Sequence, residues 1–518
     1  MIGKSYDKNR VISSYPVIVI GAGLGGLGAA CQVALAGEKV LLLEKHNVPG
    51  GFATSFVRGR FEFEGALHEL SGIGYEDNRG GTYRFFERIG LVPDKIEFIQ
   101  VPEIYRSVFL DGFDVTMPFG LDAYFNKLIE LFPDEQKGIE EFKDAALKVF
   151  EGFRFVARKG GKMAPAEILK EHPWLARASG LTAEEFFHKF IKNKRLIAVL
   201  AQLWGYAGLP PSKLNALYMI IIIMAYVIQG GAFPTGRSHS LTSGIVQCFT
   251  KLGGEVRYNA LVNRILVDHG KVCGVELLNG DVYLCKTVIS NVNPICTTMK
   301  MLPPEVVPDD YKKRIYASEI GPSAFSVYLG LNISHKDLGL TAHETFLNKD
   351  DDLDAALESF KRLETPDYMV AACYNHVDET ISPPGTTQLV LTTLQMGKLW
   401  HNVAPDQYHY IKDKISEGMI RMVEKTIIPD IRDYIEVAEA ATPLTYYRYS
   451  KNMDGAIYGY VQDVFNSPRF RLNSKGAIPG LYLAGAWVNI GGGYDPCINS
   501  GRMAAGMCLN YLKKEGGS

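Results

Sequence analysis

An apolar run near the start of the chain leads directly into a glycine-rich turn, and this junction constrains the fold more than any other feature. Residues 17–20 are apolar and mostly β-branched, which is typical of a buried parallel strand. Gly21, Gly23 and Gly26 then form the pattern G-x-G-x-x-G, and the apolar residues 27–35 predict a helix. The glycines permit a tight turn and a close backbone approach to a pyrophosphate, and the helix N-terminus offers free N–H groups to that anion. The junction therefore predicts a dinucleotide-binding strand–turn–helix unit.

A glutamate follows the next predicted strand. Residues 39–43 form a second apolar run, and Glu44 lies 23 residues after Gly21. A carboxylate at this position can hold both hydroxyls of an adenosine ribose, whereas it would repel a 2′-phosphate. The alternative is an ordinary strand–turn–helix with incidental glycines, which the complete context of the motif disfavours. We therefore expect a dinucleotide without a 2′-phosphate.

The composition is that of a globular protein, and it argues against a nucleic-acid-binding protein and against a metal-binding protein. The chain has 518 residues, so two consecutive or interleaved domains are expected. It is 47% hydrophobic and 22% charged, and its net charge of −2 without a basic block argues against a nucleic-acid partner. Its 8 cysteines form no C-x-x-C pair and no metal-ligand spacing, and the polar N-terminus has no apolar signal segment. These features predict reduced thiols, no metal and a cytoplasmic protein.

One apolar run has two interpretations. Residues 214–228 are apolar on all sides, but 15 residues are fewer than the roughly 17–25 that a spanning helix needs. A buried helix that lines an apolar cavity is the favoured interpretation, because such a helix is apolar all round. The alternative is a helix that dips into a bilayer surface, which would give the protein a peripheral membrane contact.

The remaining patterns place the parts of the dinucleotide domain far apart in the chain. A helix is predicted over 241–252 and a β-meander over 260–290, and the chain closes with a strand, a glycine-rich turn and a helix over 496–512. The predicted fold class is therefore α/β, with a Rossmann-like domain of discontinuous segments and a mixed α+β substrate domain. The Rossmann-like domain is predicted over 15–75, 235–300 and 475–514, and the substrate domain over 76–234 and 301–474. Within the substrate domain the patterns predict a hairpin over 107–116, strands over 323–331, 368–374 and 387–393, and a helix over 407–428.

Several short motifs are spaced along most of the chain. In order they are G-x-G-x-x-G with Glu44, Pro49-Gly-Gly51, Phe63-Glu-Gly-Ala-Leu-His68, Phe132-Pro-Asp-Glu-Gln-Lys-Gly-Ile139, Gly230-Gly-Ala-Phe-Pro-Thr-Gly236, Ile289-Ser-Asn291 after the meander, Gly455-Ala-Ile-Tyr-Gly459, and Gly480-Leu-Tyr-Leu-Ala-Gly-Ala486 with Ser500-Gly-Arg502. Together these motifs resemble the FAD-dependent phytoene desaturase, carotenoid isomerase and retinol saturase family, within the amine-oxidase-like flavoproteins. The sequence departs from the family pattern at Ala66, at Arg237-Ser238 and at Asp495-Pro496.

The resemblance implies that the Rossmann-like domain binds FAD. The first loop would hold the pyrophosphate, Glu44 the ribose, and the Gly50-Gly51 loop would pass near the ribityl chain and the flavin. The C-terminal glycine-rich turn and its helix would face the pyrimidine end of the flavin, where a helix N-terminus stabilises negative charge. The FAD contacts implied in this way are Gly21, Gly23, Leu24, Gly25, Gly26, Glu44, Lys45, Gly50, Gly51, Phe52, Ala53, Thr54, Val262, Gly485, Ala486, Gly493, Cys497 and Ile498.

Four residues are candidates for the one proton donor or acceptor that flavin chemistry on carbon–carbon bonds requires. His68 follows a predicted strand and matches the histidine of the family, although it can equally serve a structural hydrogen bond. Tyr494 can cover the flavin face or simply pack. Asp495 is better explained as the N-cap of a helix with Pro496 at its first position. Arg237 can reach a substrate carboxylate or phosphate, but a surface ion pair is the favoured interpretation.

These features lead to one principal functional hypothesis and two rivals. We expect an FAD-dependent oxidoreductase that desaturates, saturates or isomerises carbon–carbon bonds of a small apolar isoprenoid, carotenoid or retinoid-like substrate. No second G-x-G-x-x-G appears, so electrons would pass to or from an external partner. The rivals are an amine- or porphyrinogen-oxidase-like enzyme of the same fold, and a non-catalytic escort protein that binds prenyl or lipid groups. The intact phosphate loop with Glu44 argues against the escort protein.

Overall fold

The computed structural model describes residues 6–159, 163–467 and 470–516, so the polar N-terminus is described only from Tyr6. The strands are β1 (Val11–Ile20), β2 (Val40–Leu43), β3 (Ser55–Arg58), β4 (Phe61–Glu64), β5 (Phe98–Gln100), β6 (Glu103–Phe109), β7 (Asp114–Pro118), β8 (Ala232–Pro234), β9 (Glu255–Arg257), β10 (Val262–Asp268), β11 (Lys271–Leu277), β12 (Val282–Ser290), β13 (Ser323–Leu331), β14 (Glu344–Asn348), β15 (Tyr368–Cys373), β16 (Thr387–Gln395), β17 (Ile435–Ala441) and β18 (Leu481–Leu483). The helices are α1 (Leu24–Leu35), α2 (Gly81–Ile89), α3 (Leu121–Leu131), α4 (Gln136–Arg158), α5 (Pro165–Glu171), α6 (Pro173–Ser179), α7 (Ala183–Phe187), α8 (Lys194–Leu200), α9 (Ala216–Gln229), α10 (Arg237–Lys251), α11 (Pro294–Met299), α12 (Asp309–Ala317), α13 (Leu353–Ser359), α14 (Tyr408–Thr426), α15 (Pro443–Ser450) and α16 (Tyr494–Gly516).

The first sheet has a parallel centre and an antiparallel meander at one edge. Its strand order is β10-β11-β12-β1-β2-β9, and β18 pairs with the end of β12. Strand β1 is parallel to both β2 and β12, and residues 17–20 are buried, which explains their uninterrupted apolar character. The predicted strand–turn–helix unit is confirmed, although its helix begins at Leu24 rather than at residue 27. The α/β fold class is confirmed as well.

Two helices from opposite ends of the chain cross in backbone contact behind this sheet. A Cβ added to Gly501 in α16 would lie 1.9 Å from the carbonyl oxygen of Gly25 in α1. A Cβ added to Gly28 would lie 2.6 Å from the carbonyl oxygen of Ile498. Only glycine permits such an approach, so these positions bring the two chain ends side by side.

The second sheet has the order β17-β13-β16-β15-β14-β6-β7 and carries apolar residues on both faces. Phe346 and Val370 pack with the helices of the segment from α3 to α9, whereas the neighbouring residues Leu347 and Met369 pack with α14. The alternation follows from the two-residue period of a strand. The predicted hairpin is confirmed, because β6 and β7 are antiparallel and Gly112 in their turn has a φ of +95°. The boundaries of the two domains remain a prediction.

The apolar run forms helix α9, which lies within the predicted substrate domain. It contacts α3, α4, α6 and α7 and contributes to their shared core. Its half-buried residues Ile221, Ile222 and Ala225 line a cavity. In the described part of the chain, every helix is too short or too polar to span a bilayer. A peripheral membrane contact remains a prediction.

Candidate functional site

A cavity of about 620 Å³ lies between the two sheets and is lined by both. At one end its wall is formed by the glycine-rich loop after β1, by Glu44 and by the loop at Gly50. At the other end its wall is formed by apolar and aromatic side chains, which include Phe153, Tyr206, Tyr218, Ile221, Ile222, Tyr226, Phe346, Tyr368 and Leu394. One cavity therefore joins the predicted dinucleotide site to an apolar region of the second domain.

The glycine-rich loop leaves room for a phosphate group at the start of α1. The N-cap residue Gly23 offers no side chain, so the N–H groups of the first turn lack a side-chain cap. Gly23 pairs with Gly50 as an isolated parallel bridge, and a Cβ on Gly51 would lie 3.4 Å from the Cα of Gly23. Gly21 and Gly50 have φ values of +91° and +116°, which other residues rarely adopt. The two loops thus run side by side and approach each other through backbone atoms.

Glu44 is fixed at the end of β2 by two backbone donors. Its Oε2 accepts a hydrogen bond from the N–H of Ala22 at 2.7 Å, and its Oε1 accepts one from the N–H of His46 at 2.9 Å. The side chain is buried yet lines the cavity, where its remaining lone pairs can accept hydroxyl groups. The neighbouring Lys45 also lines the cavity, and its ammonium donates to the carbonyl of Tyr449. The uncapped helix, the side-chain-free loops and the anchored carboxylate together fit a dinucleotide.

Asn291 is a residue of this site that the sequence analysis did not select. It follows β12 and lines the cavity, and its side-chain amide lies against the glycine-rich loop. A Cβ on Gly23 would lie 2.6 Å from Asn291 Nδ2, and a Cβ on Gly25 or Gly485 would lie 2.5 Å from its Oδ1. Its position after a central parallel strand was the available signal, because ligands of such sheets bind at the carboxyl ends of the strands.

The structure brings most of the predicted site residues to the cavity and leaves four away from it. Those that line it are Gly21, Gly23, Leu24, Gly25, Glu44, Lys45, Gly50, Gly51, Phe52, Ala53, Val262, Gly485, Ala486, Gly493, Cys497, His68, Tyr494 and Asp495. Gly26 instead serves packing, because a Cβ there would lie 1.8 Å from the carbonyl oxygen of Gly21. Ile498 lies in the crossing of α1 and α16, and the carbonyl of Thr54 accepts a hydrogen bond from Gly65. Arg237 is the fourth.

The placement of Arg237 favours the ion-pair interpretation over contact with a substrate. Its guanidinium lies 3.3 Å from Glu62 Oε2 and donates to the carbonyl of Ile381. The side chain of Arg237 is 14% exposed and that of Glu62 is 38% exposed, so the predicted ion pair is present and only partly exposed. Arg237 therefore ties the start of α10 to β4 and to the segment at Ile381, and it does not reach the cavity.

The interpretation of Asp495 as an N-cap is wrong, because the helix begins earlier than predicted. Helix α16 starts at Tyr494, and the carbonyl of Gly493 already accepts the N–H of Cys497 at 3.1 Å. The Asp495 carboxylate instead accepts hydrogen bonds from the hydroxyl of Thr82 and, at 3.0 Å, from the amide of Asn499. It therefore ties α2 to α16, and burial raises the pKa of Asp495 above its usual value.

Replacing Asp495 with asparagine is expected to stabilise the protein in a pH-dependent way. Burial favours the neutral carboxyl, so the free energy of unfolding falls as the pH rises from the unfolded-state pKa through the raised folded-state pKa. Asp495→Asn keeps an acceptor for both donors and carries no charge. We expect its unfolding midpoint to exceed that of the wild type by about 1–2 °C near pH 8 and by less near pH 4. Differential scanning calorimetry measures the unfolding midpoints. An equal difference between variant and wild type at pH 8 and at pH 4 would contradict the raised pKa of Asp495.

Tyr494 and Cys497 are the other candidate residues of this turn, and both are half-buried. The hydroxyls of Tyr494 and Ser238 lie 2.8 Å apart, and burial followed by the charge of Glu64 raises the pKa of Tyr494 well above its usual range. Burial, with a smaller contribution from Asp495, raises the pKa of Cys497 to about 12. Cys497 is half-buried rather than buried, and its raised pKa favours the protonated thiol at neutral pH.

His68 lies next to one of three buried acids, Glu69, Glu103 and Glu344. We call these three residues the carboxyl cluster. His68 Nδ1 lies 2.8 Å from Glu344 Oε1, and the hydroxyl of Tyr206 donates to the same carboxylate. Each of the three acids is less than 9% exposed, although they come from distant parts of the chain. The sequence analysis selected only His68, because nothing local to β6 or β14 indicates that their acids turn toward it.

The two other members of the carboxyl cluster differ in their partners. Glu103 accepts the N–H of His343 at 2.6 Å, and His376 Nε2 lies 3.5 Å from its Oε2. Burial alone would raise the pKa of Glu103, but the hydrogen bonds from His376 and the His343 backbone lower it. Glu69 lines the cavity, and within the described part of the chain its carboxyl oxygens have no hydrogen-bond partner.

Comparisons with known proteins agree with the geometry of this site. A family model described as an NAD(P)-binding Rossmann-like domain matches residues 19–88. The chain is 26% identical over 530 residues to prolycopene isomerase 1, chloroplastic, of an Oncidium hybrid cultivar, which covers 97% of this chain and 85% of the relative. It is 25% identical over 521 residues to the all-trans-retinol 13,14-reductase of Rattus norvegicus, with coverage of 94% and 84%. The resemblance predicted from the sequence motifs is confirmed by these relatives.

Solved structures share the fold at low sequence identity. An oxidoreductase from Methanosarcina mazei aligns with a TM-score of 0.65 and 16% identity over 96% of this chain and 100% of that chain. Cyclohexylamine oxidase from Brevibacterium oxydans aligns with a TM-score of 0.62 and 14% identity over 96% and 99%. Likeness at this identity concerns the fold alone, and it confirms the amine-oxidase-like architecture.

Proposed function

We propose that the protein is an FAD-dependent oxidoreductase that acts on carbon–carbon bonds of a small apolar substrate of the isoprenoid, carotenoid or retinoid type. The observation that carries the proposal is one continuous cavity, which joins a dinucleotide loop to an apolar region. The similarity of nearly the whole chain to prolycopene isomerases and retinol 13,14-reductases supports this substrate class. The direction of the reaction, whether desaturation, saturation or isomerisation, is open in this proposal.

In this proposal the residues of the first domain hold FAD along the cavity. The first turn of α1 binds the pyrophosphate through its N–H groups, and Glu44 accepts the ribose hydroxyls. Asn291 fixes the loops at Gly23 and Gly485 through the close contacts described above. The N-terminus of α16 lies beside the cavity at Gly493 and favours negative charge there. When bound, FAD would exchange a hydride with a substrate carbon.

The residues of the second domain bind the substrate and exclude water. The side chains of Ile221, Ile222 and Phe346 give the cavity an apolar wall, which holds a hydrocarbon chain by the removal of its surface from water. His68 is held within the wall by Glu344 and is the predicted residue best placed to hold a proton near the substrate. We further propose an external electron donor or acceptor, a cytoplasmic location and a peripheral membrane contact.

The experiment that tests the proposal begins with the colour of the purified protein. We expect a flavin absorbance spectrum and release of FAD on denaturation. The reduced and oxidised forms of the protein are then incubated, in the absence of oxygen, with all-trans-retinol and with prolycopene. The products are separated by chromatography, and their masses are determined by mass spectrometry. A change in hydrogen count or in double-bond geometry supports the proposal. Hydrogen peroxide formed from cyclohexylamine would favour the amine-oxidase rival, and a colourless protein that still retains a prenyl or lipid molecule would favour the escort protein.

A further inference from the structure

Glu69 is a cavity residue that the proposed function does not use. It is only 6% exposed, it lines the cavity, and neither of its carboxyl oxygens has a hydrogen-bond partner among the described residues. Its Oε2 lies against Gly231, where an added Cβ would be 1.9 Å away. A buried polar group without a partner costs free energy. A ligand that forms a hydrogen bond with Glu69 would therefore bind more tightly than one that does not.

The surroundings of Glu69 determine its protonation state. Burial, followed by the charges of Glu344 and Glu103, raises the pKa of Glu69 well above its usual range. In contrast, Glu344 accepts the hydroxyl of Tyr206 and has His68 Nδ1 2.8 Å from its Oε1. Glu103 accepts the backbone N–H of His343 and has His376 Nε2 3.5 Å from its Oε2. Burial and the neighbouring acids therefore favour the neutral form of Glu69, and a neutral carboxylic acid is a hydrogen-bond donor.

We propose that Glu69 is a specificity-determining residue that donates its O–H to an oxygen atom of the substrate. The preferred substrate is then an apolar isoprenoid or polyene that carries a hydroxyl or carbonyl group, and the corresponding pure hydrocarbon binds less well. A hydrocarbon would leave the carboxyl of Glu69 without a partner in a water-excluded wall. This inference rests on the proposed function, because that function supplies the apolar part of the substrate.

An oxygen group fits this position better than an amine. A cationic amine would bind an ionised Glu69, and ionisation would place a further negative charge beside Glu344 and Glu103. Desolvation and repulsion between like charges both oppose that state. The aromatic groups near Glu69, at Tyr75, Tyr206 and Tyr226, are compatible with an apolar chain next to a single polar atom.

The test compares three probes that differ in one terminal group. They are all-trans-retinol, the hydrocarbon in which hydrogen replaces the hydroxyl, and the corresponding primary amine. Binding to the FAD-loaded protein is measured by equilibrium dialysis from detergent micelles. We expect the wild type to bind the alcohol about tenfold or more tightly than the hydrocarbon, and Glu69→Leu to abolish this difference. Glu69→Gln should retain part of it, because an amide also donates.

A matched control removes a different cavity group. Tyr218 also lines the cavity with a buried hydroxyl that lacks a partner, but it lies at Gly491. Tyr218→Phe should keep the preference for the alcohol. Glu69→Leu should fold, because the substitution removes no hydrogen bond and buries an apolar side chain of similar size. An infrared carbonyl band of a protonated acid that is present in the wild type and absent from Glu69→Gln reports the protonation state without any substrate.

The outcomes separate this inference from the proposed function. Equal binding of alcohol and hydrocarbon by the wild type would overturn the role of Glu69 while leaving an apolar substrate in place. Preference for the amine, or absence of the infrared band, would overturn the neutral acid. A protein that retains flavin and binds none of the three probes would overturn the proposed substrate class and this inference with it. Loss of the preference in Tyr218→Phe but not in Glu69→Leu would assign the contact to Tyr218 instead.

Discussion

Replacing Glu44 with arginine is expected to yield a protein that purifies without flavin. The wild-type carboxylate is held by the N–H groups of Ala22 and His46 and lines the cavity. An arginine offers no acceptor for the ribose hydroxyls or for the N–H groups of Ala22 and His46. The combined loss of these hydrogen bonds should weaken FAD binding by about a hundredfold or more. The ratio of flavin absorbance to protein absorbance after gel filtration measures it.

Two further variants make the Glu44 prediction specific. Glu44→Gln keeps the shape and one acceptor oxygen, so its affinity for FAD should fall by only about tenfold. Glu87→Arg makes the same change of charge at an exposed position of α2 and should retain flavin normally. Far-ultraviolet circular dichroism shows whether each variant is folded. Normal flavin retention by folded Glu44→Arg would mean that the ribose assignment is wrong.

Replacing Gly501 with alanine is expected to destabilise the whole first domain. The added Cβ would lie 1.9 Å from the carbonyl oxygen of Gly25 and 2.7 Å from the backbone nitrogen of Ala29. Both contacts are backbone atoms of α1, so the helices must move apart rather than a side chain turn away. We expect a loss of about 3 kcal/mol in the free energy of unfolding, measured in urea. Flavin retention should fall as well, because α1 carries the phosphate-binding N-terminus.

Gly506 provides the matched control in the same helix. A Cβ at Gly506 meets nothing within 4 Å, so Gly506→Ala tests only the backbone. This variant should be more stable than the wild type by about 0.5–1 kcal/mol, because alanine favours the helix over the unfolded chain. Equal effects of the two substitutions would contradict the close crossing of α1 and α16.

Much of the first domain follows from local sequence. The run of residues 17–20, the glycines after it and Glu44 are close neighbours in sequence, and their spacing is sufficient to predict a strand, a turn and a ribose-binding carboxylate. The structure bears out the strand and the turn, and it places Glu44 at the cavity. The role of Glu44 remains a prediction until flavin retention is measured. The predicted start of α16 was wrong because Pro496 is tolerated throughout the first turn of a helix, so it does not mark one position.

The chemistry of the cavity wall was decided by tertiary structure. Arg237 and His68 both look like candidates for a site in the sequence, yet the first turns to Glu62 and the second to Glu344. Glu69 shows no sign of its unusual state in the sequence, because that state requires burial and two other acids from β6 and β14. Local spacing determined the dinucleotide loop, since its groups are joined by short stretches of backbone. Packing between distant segments determined which acid stays neutral, since desolvation and charge act through space and not along the chain.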